Sequence, residues 1–240
     1  MKTAITEMFG IKYPIICGAM MWLCKPTLCA AISNARGMGN LTAANYETEE
    51  GFRNAIRETR KLTDRPFMVG ITILPSVRIT AGHHQMYLRI CAEEKVSGIE
   101  VSGDPVNKAV GPEYIDMLKK TGVKLFHKVG SVRHALHAQK AGYDGIYAAG
   151  IEEGGHPLDD DVTTMVLTPR IAGERMKQAW DDGDVDVAPM MVGQSIGLIQ
   201  DVPTCKELLE RMVKEAEETL REGKQAVLTS WLRWGICPQI

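Results

Sequence analysis

Over the first 150 residues, short apolar runs alternate with stretches whose apolar positions recur at helical spacing. RPFMVGITILP (65–75) is the clearest run, apolar almost throughout, as befits a strand covered on both faces. Five further runs predict strands: YPIICGAM (13–20), GMGNLTAAN (37–45), SGIEVSG (97–103), VKLFHKVG (123–130) and YDGIYAAG (143–150). Helices are predicted between them. KPTLCAAISNARG has Pro26 near its start and Gly37 near its end, and TEEGFRNAIRETRKLT sorts apolar from charged positions. A polar helix holds His83 and His84, and PEYIDMLKKTG (112–122) is bounded by proline and glycine. SVRHALHAQKAG opens at the N-cap Ser131 and closes at Gly142. Six β-then-α units at intervals of roughly 20–25 residues predict parallel strands with right-handed crossovers. A barrel and an open doubly wound sheet share that rhythm.

After Pro169 the rhythm stops. RIAGERMKQAWDDGDVD is helical and then acidic, APMMVGQSIGLIQDVPT is punctuated by glycine, and CKELLERMVKEAEETLREGKQ is strongly amphipathic. The tail AVLTSWLRWGICPQI carries Trp231 and Trp234. A complete (β/α)₈ barrel has eight units in typically ~250 residues, and no seventh or eighth unit is visible here. The expected fold is α/β, a TIM-barrel-like (β/α) portion of about six units over 1–170. A C-terminal helical segment, 171–240, is expected to pack on it.

Composition changes this picture little. The 240 residues carry a formal charge of −2, which gives no electrostatic case for nucleic acid or an anionic membrane. No apolar run approaches the ~18 residues of a membrane span, and MKTAITEMFGIKYPI lacks a secretory h-region, so a cytoplasmic location is expected. The six cysteines form no CxxC pair, which argues against a zinc site or a disulfide scaffold. Cys17, Cys24 and Cys29 read as buried thiols, with a redox role as the lesser reading.

Ligands of parallel β/α folds bind at the C-terminal ends of the strands. Those ends are Gly18 to Met21, Ala44-Asn45, Gly70 to Leu74, Ser102 to Asp104, His127-Lys128 and Glu152 to His156. Several are small, as close approach of a flat ring system requires, although small residues also serve helix packing. His156 follows Gly154-Gly155, where an imidazole with an ordinary pKa of about 6.5 suits a general base. Strand alternation sends one of His127 and Lys128 inward, and Lys128 falls nearer the pocket rim. Asp159 to Asp161 read as a solvated acidic turn.

The segments YPIICGAMMWLCKPTLCAAISNARGMGNL, RPFMVGITILP, GVKLFHKVGSVRHALHAQKAGYDGIYAAGIEEGGHPLDDDVTTMVLTP and VGQSIGLIQDVPTCKELLERMVKEAEETL resemble the nitronate monooxygenase (2-nitropropane dioxygenase) family. That resemblance implies an FMN-dependent (β/α)₈ enzyme that oxidises nitronates or nitroalkanes with O₂ to a carbonyl compound and nitrite. It places Ala19, Met20 and Met21 under the flavin, Gly70 along it, and Lys128 with Gly150, Gly154 and Gly155 at its edge. His156 would be the catalytic histidine that takes the substrate α-proton. The chain departs from the family at Gly70, where Asn is frequent, and at Leu158, where Gly is. It also lacks PVIAAGGI-like and GTRF-like segments after about Ile171, so the loops that bind the FMN phosphate are missing. Two other readings stand beside this one: a flavin-free proton-transfer or lyase enzyme using His156 and Lys128, and a non-catalytic subunit. A small-molecule substrate and a homo-oligomer are expected, with no metal site.

Overall fold

The computed structural model describes residues 2–129, 132–149, 199 and 201–233. Five strands, β1 (Gly39–Thr42), β2 (Phe67–Ile73), β3 (Gly98–Gly103), β4 (Lys124–Val129) and β5 (Gly145–Ala148), form one sheet in chain order. Every neighbouring pair is parallel. A doubly wound sheet reverses its strand order at a switch point, whereas a barrel wall runs straight on. The order here is that of a barrel wall, and it resolves the alternative that the sequence rhythm left open.

The first expected strand, 13–20, does not form. Only Ile16 bridges Met38 in parallel, supported by Cys17 N–H to Met38 O and Met38 N–H to Ile15 O, each 2.9 Å. Pro14 has no N–H for a ladder, and beyond Cys17 the chain leaves the sheet to build a loop in which Trp22 adopts φ 69°. The described sheet therefore has five strands, with this bridge marking the place of a sixth beside β1. An unexpected helix, α1 (Ala4–Phe9), is held by a reciprocal cap between Thr3 and Thr6.

The helices follow their start and stop residues. α2 (Pro26–Asn34) begins with proline in its first turn. In α3 (Glu49–Leu62), Thr48 Oγ1 accepts from Gly51 N–H at 3.1 Å, and Phe52, Ala55, Ile56 and Thr59 are buried at helical spacing. Thr80 and His83 cap α4 (Ala81–Glu93). His84 is buried there at 5% exposure, so the stretch expected to be polar has an inward histidine. The four-residue α5 (Val106–Ala109) precedes α6 (Pro112–Thr121), which ends at left-handed Gly122. α7 (Val132–Ala141) leads into β5.

Two apolar cores flank the sheet. The larger joins strands to helices through residues such as Leu41, Val69, Ile99 and Leu125 on one side and Phe52, Ile56, Leu88 and Leu118 on the other. The smaller is Phe9, Ile11, Met38, Met68 and Phe126. Phe9 and Phe126 pack with ring centroids 5.8 Å apart, so α1 closes the inner face at the N-terminal ends of the strands. The opposite end is left for a site. A long helix, α8 (Cys205–Arg233), buries Leu209 against Tyr13 and Ala35. Among the described residues no helix is long and apolar enough to cross a membrane.

Candidate functional site

Side chains alternate along each strand, so residues sharing parity with Met38, Met68 and Phe126 line the same inner face. They include Asn40 and Thr42 on β1, Gly70 and Thr72 on β2, Glu100 and Ser102 on β3, Lys128 on β4 and Tyr147 on β5. Register places Thr42 beside Gly70, Gly70 beside Glu100, and Lys128 beside Tyr147. The inner face is thus apolar near α1 and polar toward the strand ends. Of the pair at the end of β4, His127 points to the helix side, where its Nδ1 meets Val101 O at 3.2 Å and its ring lies 5.2 Å from Tyr143.

The loop 17–24 sits over β1 and β2. Thr42 Oγ1 donates to Met20 O at 3.0 Å, Thr42 N–H to Cys24 O at 3.0 Å, and Trp22 N–H to Asn45 Oδ1 at 2.8 Å. From outside, the Arg78 guanidinium stacks 4.9 Å over Trp22, donates to Ala44 O at 2.7 Å and pairs with Glu47 at 2.8 Å. Ala19 rests directly on Gly70: a Cβ added at Gly70 would overlap the Ala19 methyl. Glycine is required at position 70 for that approach. Met20 and Met21 stay exposed, at 40% and 44%.

Under this loop lies a polar group that the strand patterns did not single out. Asn40 Nδ2 donates to Glu100 and to Cys17 O, the latter at 3.0 Å. Glu100 is 6% exposed and Asn40 fully buried, yet Asn40 Oδ1 has no partner among the described residues. Tyr147 donates to Met68 Sδ at 3.4 Å; burial, and then the charge of Glu100, push its phenol pKa up. The visible signal was Glu100 itself, one charge inside the otherwise uncharged run SGIEVSG.

Ala19, Met20 and Gly70 therefore meet at one place, with Met21 beside them, and Lys128 lies two strands along the same face. Gly150, Gly154, Gly155 and His156 lie outside the described residues, as do Leu158 and the acidic turn. The small Ala19 seated on Gly70, the exposed Met20 and Met21 beside it and the cation of Lys128 on the same face fit the ring portion of a flat, polar-edged cofactor. No group of His, Cys, Asp and Glu among the described residues could hold a metal ion.

Fold and strand order together define a parallel β/α-barrel protein whose inner face turns polar toward the C-terminal strand ends. The nitronate monooxygenase family model matches residues 2–173, and the chain belongs to that family of enzymes. It is 31% identical over 232 residues to a nitronate monooxygenase of Paraburkholderia phytofirmans, covering 82% of this chain and 63% of that protein. It is 32% identical over 171 residues to the (3aS,4S,5R,7aS)-5-hydroxy-7a-methyl-1-oxo-octahydro-1H-indene-4-carboxyl-CoA dehydrogenase of Rhodococcus jostii, covering 71% and 44%. The chain thus spans between 44% and 63% of the length of these relatives. FabK from Thermotoga maritima superimposes with a TM-score of 0.75 at 23% identity, over 94% of this chain and 99% of that one. Nitroalkane oxidase from Streptomyces ansochromogenes gives 0.53 at 24%, over 64% and 50%. At those identities the two structures speak for the fold.

Proposed function

We propose that this chain is an FMN-dependent oxidoreductase that converts nitronates or nitroalkanes to a carbonyl compound and nitrite with O₂. The observation that carries the reading is the inner face at the strand ends: the small Ala19 seated on Gly70, with inward Lys128 on the same face. The family match, which runs past His156 to residue 173, supports it. FMN, when bound, would accept electrons from the substrate and react with dioxygen. The chain's own residues do the rest. Ala19, seated on Gly70, would bear the ring, and Met20 and Met21 would shield it from water. Lys128 favours negative charge at the ring's edge. By the family resemblance, Gly150, Gly154 and Gly155 would border the ring's edge, and His156 would take the substrate α-proton.

One relative favours a second reading of the same site. Identity to the indene-carboxyl-CoA dehydrogenase is as high as to the nitronate monooxygenase, which points to a CoA thioester as the compound oxidised. Oxygen uptake by the FMN-loaded chain separates the two. Consumption with an alkyl nitronate, accompanied by nitrite, supports the first reading. Turnover of a cyclic acyl-CoA with an artificial electron acceptor, and none of the nitronate, supports the second.

A further inference from the structure

The loop that lies on Gly70 carries a thiol at each end. Cys17 Sγ and Cys24 Sγ are 3.9 Å apart, and both reach one acceptor, Gly18 O, at 3.3 and 3.5 Å. We propose that Cys17 and Cys24 are a redox pair that a hydroperoxide oxidises to an intramolecular disulfide, closing a ring around Ala19, Met20 and Met21. The inference goes beyond the proposed flavin chemistry and does not depend on it.

Cys17 and Cys24 are seven positions apart in sequence and adjacent in space because the loop turns back between them, with Cys24 N–H donating to Met20 O at 3.0 Å. A disulfide needs sulfurs about 2.05 Å apart, so closure asks for a movement of roughly 2 Å. The outer side of the loop leaves room for it, since Gly18, Met20 and Met21 are exposed and Cys17 is partly so. The two thiols also differ in acidity. Their mutual hydrogen bond, followed by burial, raises the Cys17 thiol, while the same bond holds Cys24 low. Cys24 is therefore the more readily deprotonated of the two, and the thiolate is the form that attacks a peroxide. Cys24, Cys29 and Cys91 are all fully buried; burial raises the Cys29 and Cys91 thiols, whereas Cys24 has the partly exposed Cys17 as its neighbour.

The step balances. Two thiols give up two protons and two electrons; the peroxide O–O bond accepts them and becomes an alcohol, or water from hydrogen peroxide, plus water. Two S–H bonds and one O–O bond break, and one S–S bond and two O–H bonds form. The product ring holds eight residues, Cys17 to Cys24.

The test uses the full chain, reduced, desalted and treated with stoichiometric hydrogen peroxide. Catalase ends the reaction, and the protein is then denatured in N-ethylmaleimide and digested with trypsin. Because Lys25 precedes Pro26, one peptide, Tyr13 to Arg36, carries Cys17, Cys24 and Cys29. The expected product is this peptide lighter by two hydrogens, with a single maleimide on Cys29. Its formation should run about tenfold or more faster than oxidation of Cys29 or Cys91. Cys29→Ser should leave the reaction intact, and Cys17→Ser should abolish it. Three maleimides after treatment would overturn the proposal, as would a disulfide to Cys29 or between chains. Sulfinic acid at Cys17 with Cys24 still alkylated would do the same. The wild-type measurement decides the matter even if a variant fails to fold.

Discussion

Replacing Gly70 with alanine tests whether the loop 17–24 is seated on β2. The new Cβ would approach the Ala19 methyl more closely than the 3.0 Å floor of real Cβ contacts, and would lie 3.2 Å from Asn40 Oδ1 and 3.5 Å from Ala19 Cα. Apolar carbons rest at about 3.5–4.0 Å, so the loop must retreat by roughly 1.5 Å. It is tethered there by Thr42 to Met20 O and to Cys24 O, by Trp22 to Asn45, and by Asn40 to Cys17 O. Losing two such bonds costs about 1 kcal/mol each, within the ~1–3 kcal/mol of an overpacked core. We expect G70A to lose about 2 kcal/mol, lowering the denaturation midpoint at unchanged m-value and Tm by roughly 4–8 °C. Ala19→Gly removes the opposing methyl, so the double variant should recover about 1–2 kcal/mol relative to the sum of the single changes. Equilibrium urea unfolding of the four proteins measures this. A G70A protein within about 0.5 kcal/mol of wild type, or a double variant without coupling, would refute the seating of the loop.

Stability should fall as pH drops below the ordinary histidine pKa of about 6.5. Burial holds His84 and His127 below that value, so the folded state binds fewer protons than the unfolded chain in that range. Each contributes a slope of at most about 1.4 kcal/mol per pH unit, lost as pH falls from about 6.5 toward the depressed folded pKa. Unfolding of wild type and His84→Gln from pH 7.5 to 5 checks it, and identical slopes would count against the assignment. Lys128→Met should weaken FMN binding about tenfold or more, the worth of a charge-assisted contact; unchanged affinity in a flavin titration would remove Lys128 from the cofactor site. His156→Asn should retain bound flavin and lose about 10²–10⁴ in turnover. Wild-type rates in that variant would exclude His156 as the proton acceptor.

Strands and helices were legible wherever burial and punctuation agreed. The apolar run 65–75 is β2, and Pro112 and Gly122 bracket α6 as their backbone preferences require. The run 13–20 has the same apolar character but lacks a partner ladder, because strand formation depends on what the neighbouring chain offers and Pro14 offers no donor. Alternation required one of His127 and Lys128 to face inward, and the packing of His127 against Val101 and Tyr143 leaves that place to Lys128. Alternation could not show that Ala19 would rest on Gly70, since that contact depends on how a loop folds back across a register set elsewhere. The pairing of Asn40 with Glu100 is likewise a contact between residues sixty positions apart. A single carboxylate in an apolar strand marks such a site without naming its partner. The nearness of Cys17 and Cys24 was hidden for the same reason: seven-residue spacing fixes no distance in a loop.

The central claim is that this chain holds a flavin at the strand ends, and the absorbance spectrum of the purified protein tests it most directly. The spectrum is recorded on the fresh protein, again after incubation with FMN and desalting, and again on the supernatant after heat denaturation. The account predicts flavin bands in near-stoichiometric amount, released into the supernatant on unfolding and restored by added FMN. A protein that stays colourless after incubation with excess FMN would contradict it.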